Sequence, residues 1–168
     1  MKRLFVLFVL ISNLACDRFI DEITPSDQLS IDDVFTTGKD LSAALVGAYD
    51  GVQHGALLGR NTVLFGDLWS GNVDYLSGAF TDFAFLTLTA DQPMVEDMWA
   101  QFYKTVNQLN IILASIDPIV EQDSTFSLIE ANSVRGEALA LRAVLYFEML
   151  RLFSQPEGSG QAQELGLP

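Results

Sequence analysis

Residues 93–116 read PMVEDMWAQFYKTVNQLNIILASI, and this stretch decides the fold. Pro93 suits the first turn of a helix, where its missing N–H has no intrahelical acceptor to lose. At about 100° per residue, Val95, Trp99, Phe102, Tyr103, Val106, Leu109, Leu113 and Ile116 share one face. Gln101, Lys104, Gln108 and Ser115 fall on the opposite face. Asn110 breaks the pattern, lying inside the apolar stripe between Trp99 and Val106. A long helix with one apolar face needs a neighbour to cover it.

The neighbour follows in sequence. From about Phe126 to Phe153, the residues Val134, Ala138, Leu141, Leu145, Met149 and Leu152 form a second core stripe. Glu130, Glu137, Glu148 and Arg151 make a narrow wet stripe. Leu139, Tyr146, Phe147 and Leu150 render the remainder apolar, so this helix is expected to be buried on most sides. The loop from Asp117 to Thr125 is short enough to fold the two helices back as an antiparallel pair. Asn110 and Arg142, the latter beside Tyr146 and Met149, are then expected to be buried structural polar groups tying helix to helix or loop. Leaving either unpaired would cost on the order of 1–3 kcal/mol.

Working toward the N-terminus, Leu41, Leu45, Ala48 and Val52 recur at helical spacing with Tyr49 beside them. Ser30-Ile31-Asp32-Asp33 reads as a helix start, with Ser30 as the cap and Asp33 reaching back. Gly47 and Gly51 lie one turn apart, which admits two readings: close approach of another backbone, or a helix merely weakened by glycine. Between this helix and Pro93, residues 53–93 hold Gly55, Gly59, Gly66, Gly71 and Gly78, and Phe83 to Thr89 alternates partly like a strand. The reading is a long irregular, glycine-rich insertion. Such stretches are uncommon in compact domains unless they bind something.

The chain begins with Lys2-Arg3 and the apolar run Leu4 to Ile11, too short to span a bilayer and patterned as a secretory signal. Ser12-Asn13-Leu14-Ala15-Cys16 ends it, and the whole resembles a bacterial lipoprotein signal, in which Cys16 becomes the lipidated first residue. Residues 1–15 are then the signal peptide, and 16–30, with Pro25, a tether. Loss of Lys2 and Arg3 leaves seven cations against 22 carboxylates, an acidic body that anionic headgroups repel.

Composition excludes several functions. With 49% apolar residues the chain is not disordered. Nine cations against 22 carboxylates give no footprint for nucleic acid. One cysteine excludes a disulfide framework or zinc cluster, and His54 has no patterned serine or cysteine partner for a triad. No calcium loop or phosphate loop occurs, and no cofactor is expected. Asp32-Asp33 and Glu96-Asp97 are adjacent, so on a helix their side chains point about 100° apart and do not flank one bond as glycoside hydrolysis requires. An enzyme is the disfavoured class.

Trp99-x-x-x-Tyr103-x-x-Val106-x-x-x-Asn110, followed by Gly136-Glu137-Ala138-x-x-Leu141-Arg142-Ala143-x-x-Tyr146-Phe147-x-Met149-x-Arg151-x-Phe153, resembles the SusD/RagB family of outer-membrane nutrient-binding lipoproteins. Val34-Phe35 through Leu45-Val46-Gly47-Ala48-Tyr49 is also similar. The resemblance implies a mainly α fold of tetratricopeptide-like antiparallel helix pairs. It implies a lipid-anchored protein facing the cell exterior that binds glycans and caps a SusC-like TonB-dependent outer-membrane transporter. Peptide binding, as in RagB-like members, and a docking module without ligand are the alternatives. Because family members are much longer, residues 31–168 are expected to be the N-terminal part of a SusD-like helical domain.

Sugar sites combine aromatic faces with amides and carboxylates. Residues 66–83 offer that mixture, and Trp69, Asn72, Asp74 and Tyr75 are the candidate ligand contacts. The competing reading has Trp69 and the phenylalanines packing the loop onto the helices. Trp99 and Tyr103 are read as core.

Overall fold

A computed structural model describes residues 34–73, 78, 80–85, 87–89 and 91–154. These form α1 (Gly38–Gln53), α2 (Asn61–Trp69), the single turn α3 (Thr81–Ala84), α4 (Pro93–Gln122) and α5 (Leu128–Phe153). Among the described residues there is no strand. The signal segment, Cys16, the tether and the Ser30–Asp33 cap lie outside the described residues, as do Asp74 and Tyr75.

The mainly helical architecture follows from the stripes. Along α4, Met98, Phe102, Val106, Leu109, Ile112, Ile116 and Ile119 are buried. Along α5, Val134, Ala138, Leu145 and Met149 face them, and α1 adds Leu41, Leu45, Ala48 and Val52 to the same core. The contacts between α4 and α5 run in opposite order along the two helices. Asp117 pairs with Arg135, Asn110 with Arg142, and Trp99 packs edge-on against Phe153 at 5.3 Å. The pair is antiparallel. The same test applied to α1 and α4, with Ala44 bonded to Gln108 and Gly51 to Gln101, gives the same answer.

Both long helices on the C-terminal side begin or end differently from expectation. α4 passes through Pro118 and ends at Gln122, so the turn is residues 123–127 and not Asp117 to Thr125. Proline removes one backbone hydrogen bond, but it is exposed here, and continuing the helix buries Ile119. Burial of such a side chain contributes about 1.5–3 kcal/mol, comparable to the ~3 kcal/mol that a proline inside a helix costs. α5 starts at Leu128 behind a capping box, in which Ser127 and Glu130 exchange bonds. α1 starts at Gly38 behind a second such box formed by Thr37 and Asp40.

α4 is buried over a wider arc than one stripe, because it packs on α1 and α5 at once. Ser115, expected on the wet side, is buried, and its hydroxyl donates to the Ile111 carbonyl at 2.9 Å. Gln108 and Gln101 are half-buried, and their amides donate to the Ala44 and Gly51 carbonyls of α1 at 3.1 and 3.3 Å. These contacts explain the glycines. A Cβ on Gly51 would stand 2.8 Å from Thr105 Oγ1, and one on Gly47 would stand 3.0 Å from Gln108 Nε2. At both positions the near neighbour is a side chain, not the second backbone that the close-approach reading expected.

α5 is not buried on most sides. Its core face is covered, but Leu139, Val144, Phe147 and Leu150 are exposed, since α1 and α4 both pack on one flank of it. Nor are Asn110 and Arg142 buried. Arg142 Nη1 donates to Asn110 Oδ1 at 2.9 Å, with Asn110 exposed and Arg142 half-buried. The wheel put both inside apolar sectors, but the bond lies at the rim of the helix pair, where water reaches it.

Candidate functional site

The stretch expected to be irregular between α1 and α4 contains α2 and α3, so it is only partly so. Phe83 lies in the turn of α3, and among the described residues of Phe83 to Thr89 there is no strand pairing. A second core explains the order. Phe65 and Phe83 stack with ring centroids 3.8 Å apart, and Leu68 and Met98 complete a buried cluster. Apolar side chains spaced three and four apart on α2 (Phe65, Leu68, Trp69) form one helical ridge, and that ridge needs this cover.

Trp69 ends α2. Its ring is half-buried and stacks on Phe65 at 6.0 Å with a 27° interplanar angle. Its Nε1 is buried, with no acceptor among the described residues. The chain then turns sharply. Ser70 Oγ and the Asn72 N–H both donate to the Asp67 carbonyl, at 3.0 and 3.1 Å. Gly71 takes φ +70°, a left-handed conformation that costs glycine little. Asn72 emerges from this turn exposed, offering an amide that both donates and accepts.

The structure therefore separates the candidate residues. Trp69 is held against the second core, Asn72 is on the open edge of the same turn, and Asp74 and Tyr75 lie outside the described residues. Asp82, also part of the polar mixture, accepts from Gln92 Nε2 at 2.7 Å and Thr87 Oγ1 at 3.2 Å, which fastens the segment to the start of α4. Trp99 and Tyr103 meet each other edge-on at 5.1 Å and both pack against the main core, in keeping with a packing role. His54 Nδ1 accepts the Ala56 N–H at 3.2 Å and so closes the turn after α1. Glu96 and Asp97 are both exposed on the first turns of α4. Among the described residues no group of three His, Cys, Asp or Glu is placed to hold a metal ion. Among them, too, no helix is long and apolar enough to cross a membrane.

One surface went unread in the sequence. Tyr49 Oη donates to Glu137 Oε2 at 3.0 Å, joining α1 to α5 beside a shallow groove, and the bond raises the Tyr49 phenol above its ordinary range. The available signal was Val46 and Ile129, apolar residues that fall off both core stripes.

A family model described as starch-binding and associating with the outer membrane, SusD-like, matches residues 18–165. The chain is also similar to SusD-like protein P2 of Formosa agariphila. The two are 26% identical over 159 residues, which cover 91% of this chain and 30% of that protein. The chain thus spans less than a third of the length of the curated relative it matches. No solved structure matches.

Proposed function

Because this chain belongs to the SusD-like family, we propose that it is the glycan-holding component of a nutrient-uptake system at the outer membrane. The observation that carries this reading is the family match itself, which takes in all five described helices. In the proposed arrangement Cys16 bears the lipid that tethers the protein to the membrane, with the acidic helical body facing the cell exterior. Its membrane partner is a SusC-like TonB-dependent transporter, to which the bound glycan passes.

The proposed ligand contacts are Trp69, Asn72, Asp74 and Tyr75. A glucan presents hydroxyls around apolar ring faces, so it is held by amide and carboxylate groups set beside aromatic ones. The turn after α2 supports this assignment by placing the exposed Asn72 amide three residues from the partly accessible Trp69 ring. Binding without bond cleavage is the proposed activity. The neighbouring carboxylates Glu96 and Asp97 do not face each other across a cleft, whereas glycoside hydrolysis needs two carboxyls on either side of one bond.

Native electrophoresis through gels cast with soluble starch, and with a panel of other polysaccharides, tests the proposal. The full chain is expected to be retarded relative to a non-binding reference protein in the starch gel. Unchanged mobility across the panel would sink the glycan reading, and release of reducing ends by the pure protein would overturn the non-enzymatic one.

A further inference from the structure

α1 and α5 both pack on α4, and between them runs a shallow groove of about 340 Å³. Leu45, Val46 and Tyr49 form one wall, and Ile129, Val134 and Glu137 form the other. No residue of α4 lines it, so it lies on the side of the three helices turned away from α4. Its walls run in the same direction, with Tyr49 bonded to Glu137 near one end and Ser42 and Ile129 sharing the other. Two neighbouring helix ridges with a channel between them have the shape into which another helix nests. The apolar side chains at its rim are open to water: Val46 is 68% exposed and Ile129 80%.

Charge selects the occupant. Glu130 and Glu137 are the ionisable carboxylates of the lining, and no lysine or arginine joins them. Ser127 holds Glu130 through its Oε2, and Tyr49 holds Glu137 in the same way. No described residue donates to either Oε1. Arg135, the cation on this stretch of α5, is already paired with Asp117. Lys39 lies on α1 before the groove begins. Residues 1–16 carry Lys2 and Arg3 beside an apolar run, but the proposed signal cleavage before Cys16 removes both cations. The other long segments outside the described residues fit poorly. Residues 17–33 carry six carboxylates and one arginine, and residues 155–168 carry two glutamates and no cation. A second copy brings a net charge of −13.

We propose that the α1–α5 groove docks a cationic amphipathic helix of a partner polypeptide. Its apolar ridge seats between Val46 and Ile129, and a lysine or arginine reaches Glu137. This surface is independent of the turn after α2 and of the glycan reading.

The test titrates the full chain, ¹⁵N-labelled, with a leucine–lysine amphipathic peptide of about 16 residues, the length of α1, and with its leucine–glutamate counterpart as control. Saturable shifts confined to Val46, Tyr49, Ile129 and their neighbours are expected with the lysine peptide alone. Val46→Ser with Ile129→Ser, which removes the apolar seat without adding charge, should weaken binding by at least about tenfold, or about 1.4 kcal/mol. Glu137→Lys should transfer binding to the glutamate peptide, and Phe147→Glu, on another face of α5, should leave it unchanged. Circular dichroism verifies that each variant is folded. Binding indifferent to the groove variants, shifts scattered over other acidic surfaces, or self-association in sedimentation that perturbs the groove would each overturn the proposal.

Discussion

Asp123 Oδ2 accepts the Gly38 backbone N–H at 3.0 Å across 85 residues of sequence, so the turn after α4 closes the first turn of α1. The other oxygen of the same carboxylate accepts from the Thr125 hydroxyl and N–H, which shapes the turn into α5. One ionised side chain thus caps the start of α1, where unsatisfied N–H groups and the helix dipole both favour negative charge, and shapes the turn that leads into α5. The ring of Phe126 fills the space that a Cβ on Gly38 would occupy, so the contact depends on glycine there.

This end of the fold predicts acid sensitivity. Hydrogen bonds from Thr125 and from the Gly38 N–H, with a smaller contribution from the nearby charge of Lys39, hold the Asp123 carboxyl below its ordinary value of 3.8. Thr36 and Thr37 do the same for Asp40, and Ser127 lowers Glu130 from 4.5. With folded values below unfolded ones, the unfolded chain binds more protons in this range. The stabilisation is fully present above the unfolded values and is lost as pH falls through the folded ones. Melting midpoints recorded from neutral pH downward should fall steeply below about pH 4. Asp123→Ala should lower the midpoint at pH 7 and flatten that slope; an unaltered slope would contradict the assignment.

Two interior glycines of α1, Gly47 and Gly51, should respond in opposite directions. At Gly51 an added Cβ meets the branched Thr105 side chain, 2.8 Å from Oγ1 and 3.1 Å from Cγ2, and Thr105 is buried. Gly51→Ala should cost about 1–3 kcal/mol, in the range of overpacked cores. At Gly47 the obstacle is the end of the flexible Gln108 side chain, which is bonded to the Ala44 carbonyl and need shift by only a few tenths of an ångström. Gly47→Ala should be neutral or stabilising, because alanine gains up to about 1 kcal/mol of helix propensity. Urea denaturation of both variants measures the contrast.

The sequence carried the helices because their stripes are regular, and it lost the rims because a wheel shows direction without showing neighbours. Trp99, Phe102 and Val106 predicted a packed face, and the packed face is there. Arg142 and Asn110 fell in apolar sectors, but burial depends on how far the facing helix extends, and that width is not written in either helix. The same limit hid Tyr49–Glu137, which joins residues 88 apart that are unremarkable singly. Residues 53–93 misled in another way. Five glycines suggested an irregular chain, yet the Phe65–Phe83 stack draws α2 and α3 around a small core of their own. Tertiary packing overrode local propensity there.

That second core makes Phe65 a sensitive position. It is buried at 2% exposure between Phe83 and Trp69. Phe65→Ala should cost about 3–5 kcal/mol as a large-to-small core change. Tryptophan emission should shift to the red as Trp69 loses its stacking partner. Unfolding without that shift would place the loss elsewhere.

Membrane attachment is tested at Cys16. If the lone cysteine carries the lipid, Cys16→Ala should abolish incorporation of labelled palmitate in a Gram-negative host and release the protein to the aqueous fraction. Multiple acyl chains hold a protein firmly where one holds it weakly, so the change should be near complete. Retention of the variant in the membrane pellet would remove the lipid anchor from the proposal.

The turn after α2 supplies the sharpest test of glycan contact, because its two described candidates differ in burial. Trp69 is half-buried on the second core, so Trp69→Ala would confound lost binding with lost packing. Asn72 is exposed and its side chain holds no described element in place, so Asn72→Ala should change stability by no more than about 0.5 kcal/mol. Retardation in the starch gel should nevertheless drop severalfold, since a lost amide leaves sugar hydroxyls without their partner. Trp69→Phe completes the pair. It keeps an aromatic face and most of the contact with Phe65, and should retain more of the retardation than Asn72→Ala. If both variants migrate as the parent does in starch, the ligand edge lies away from this turn.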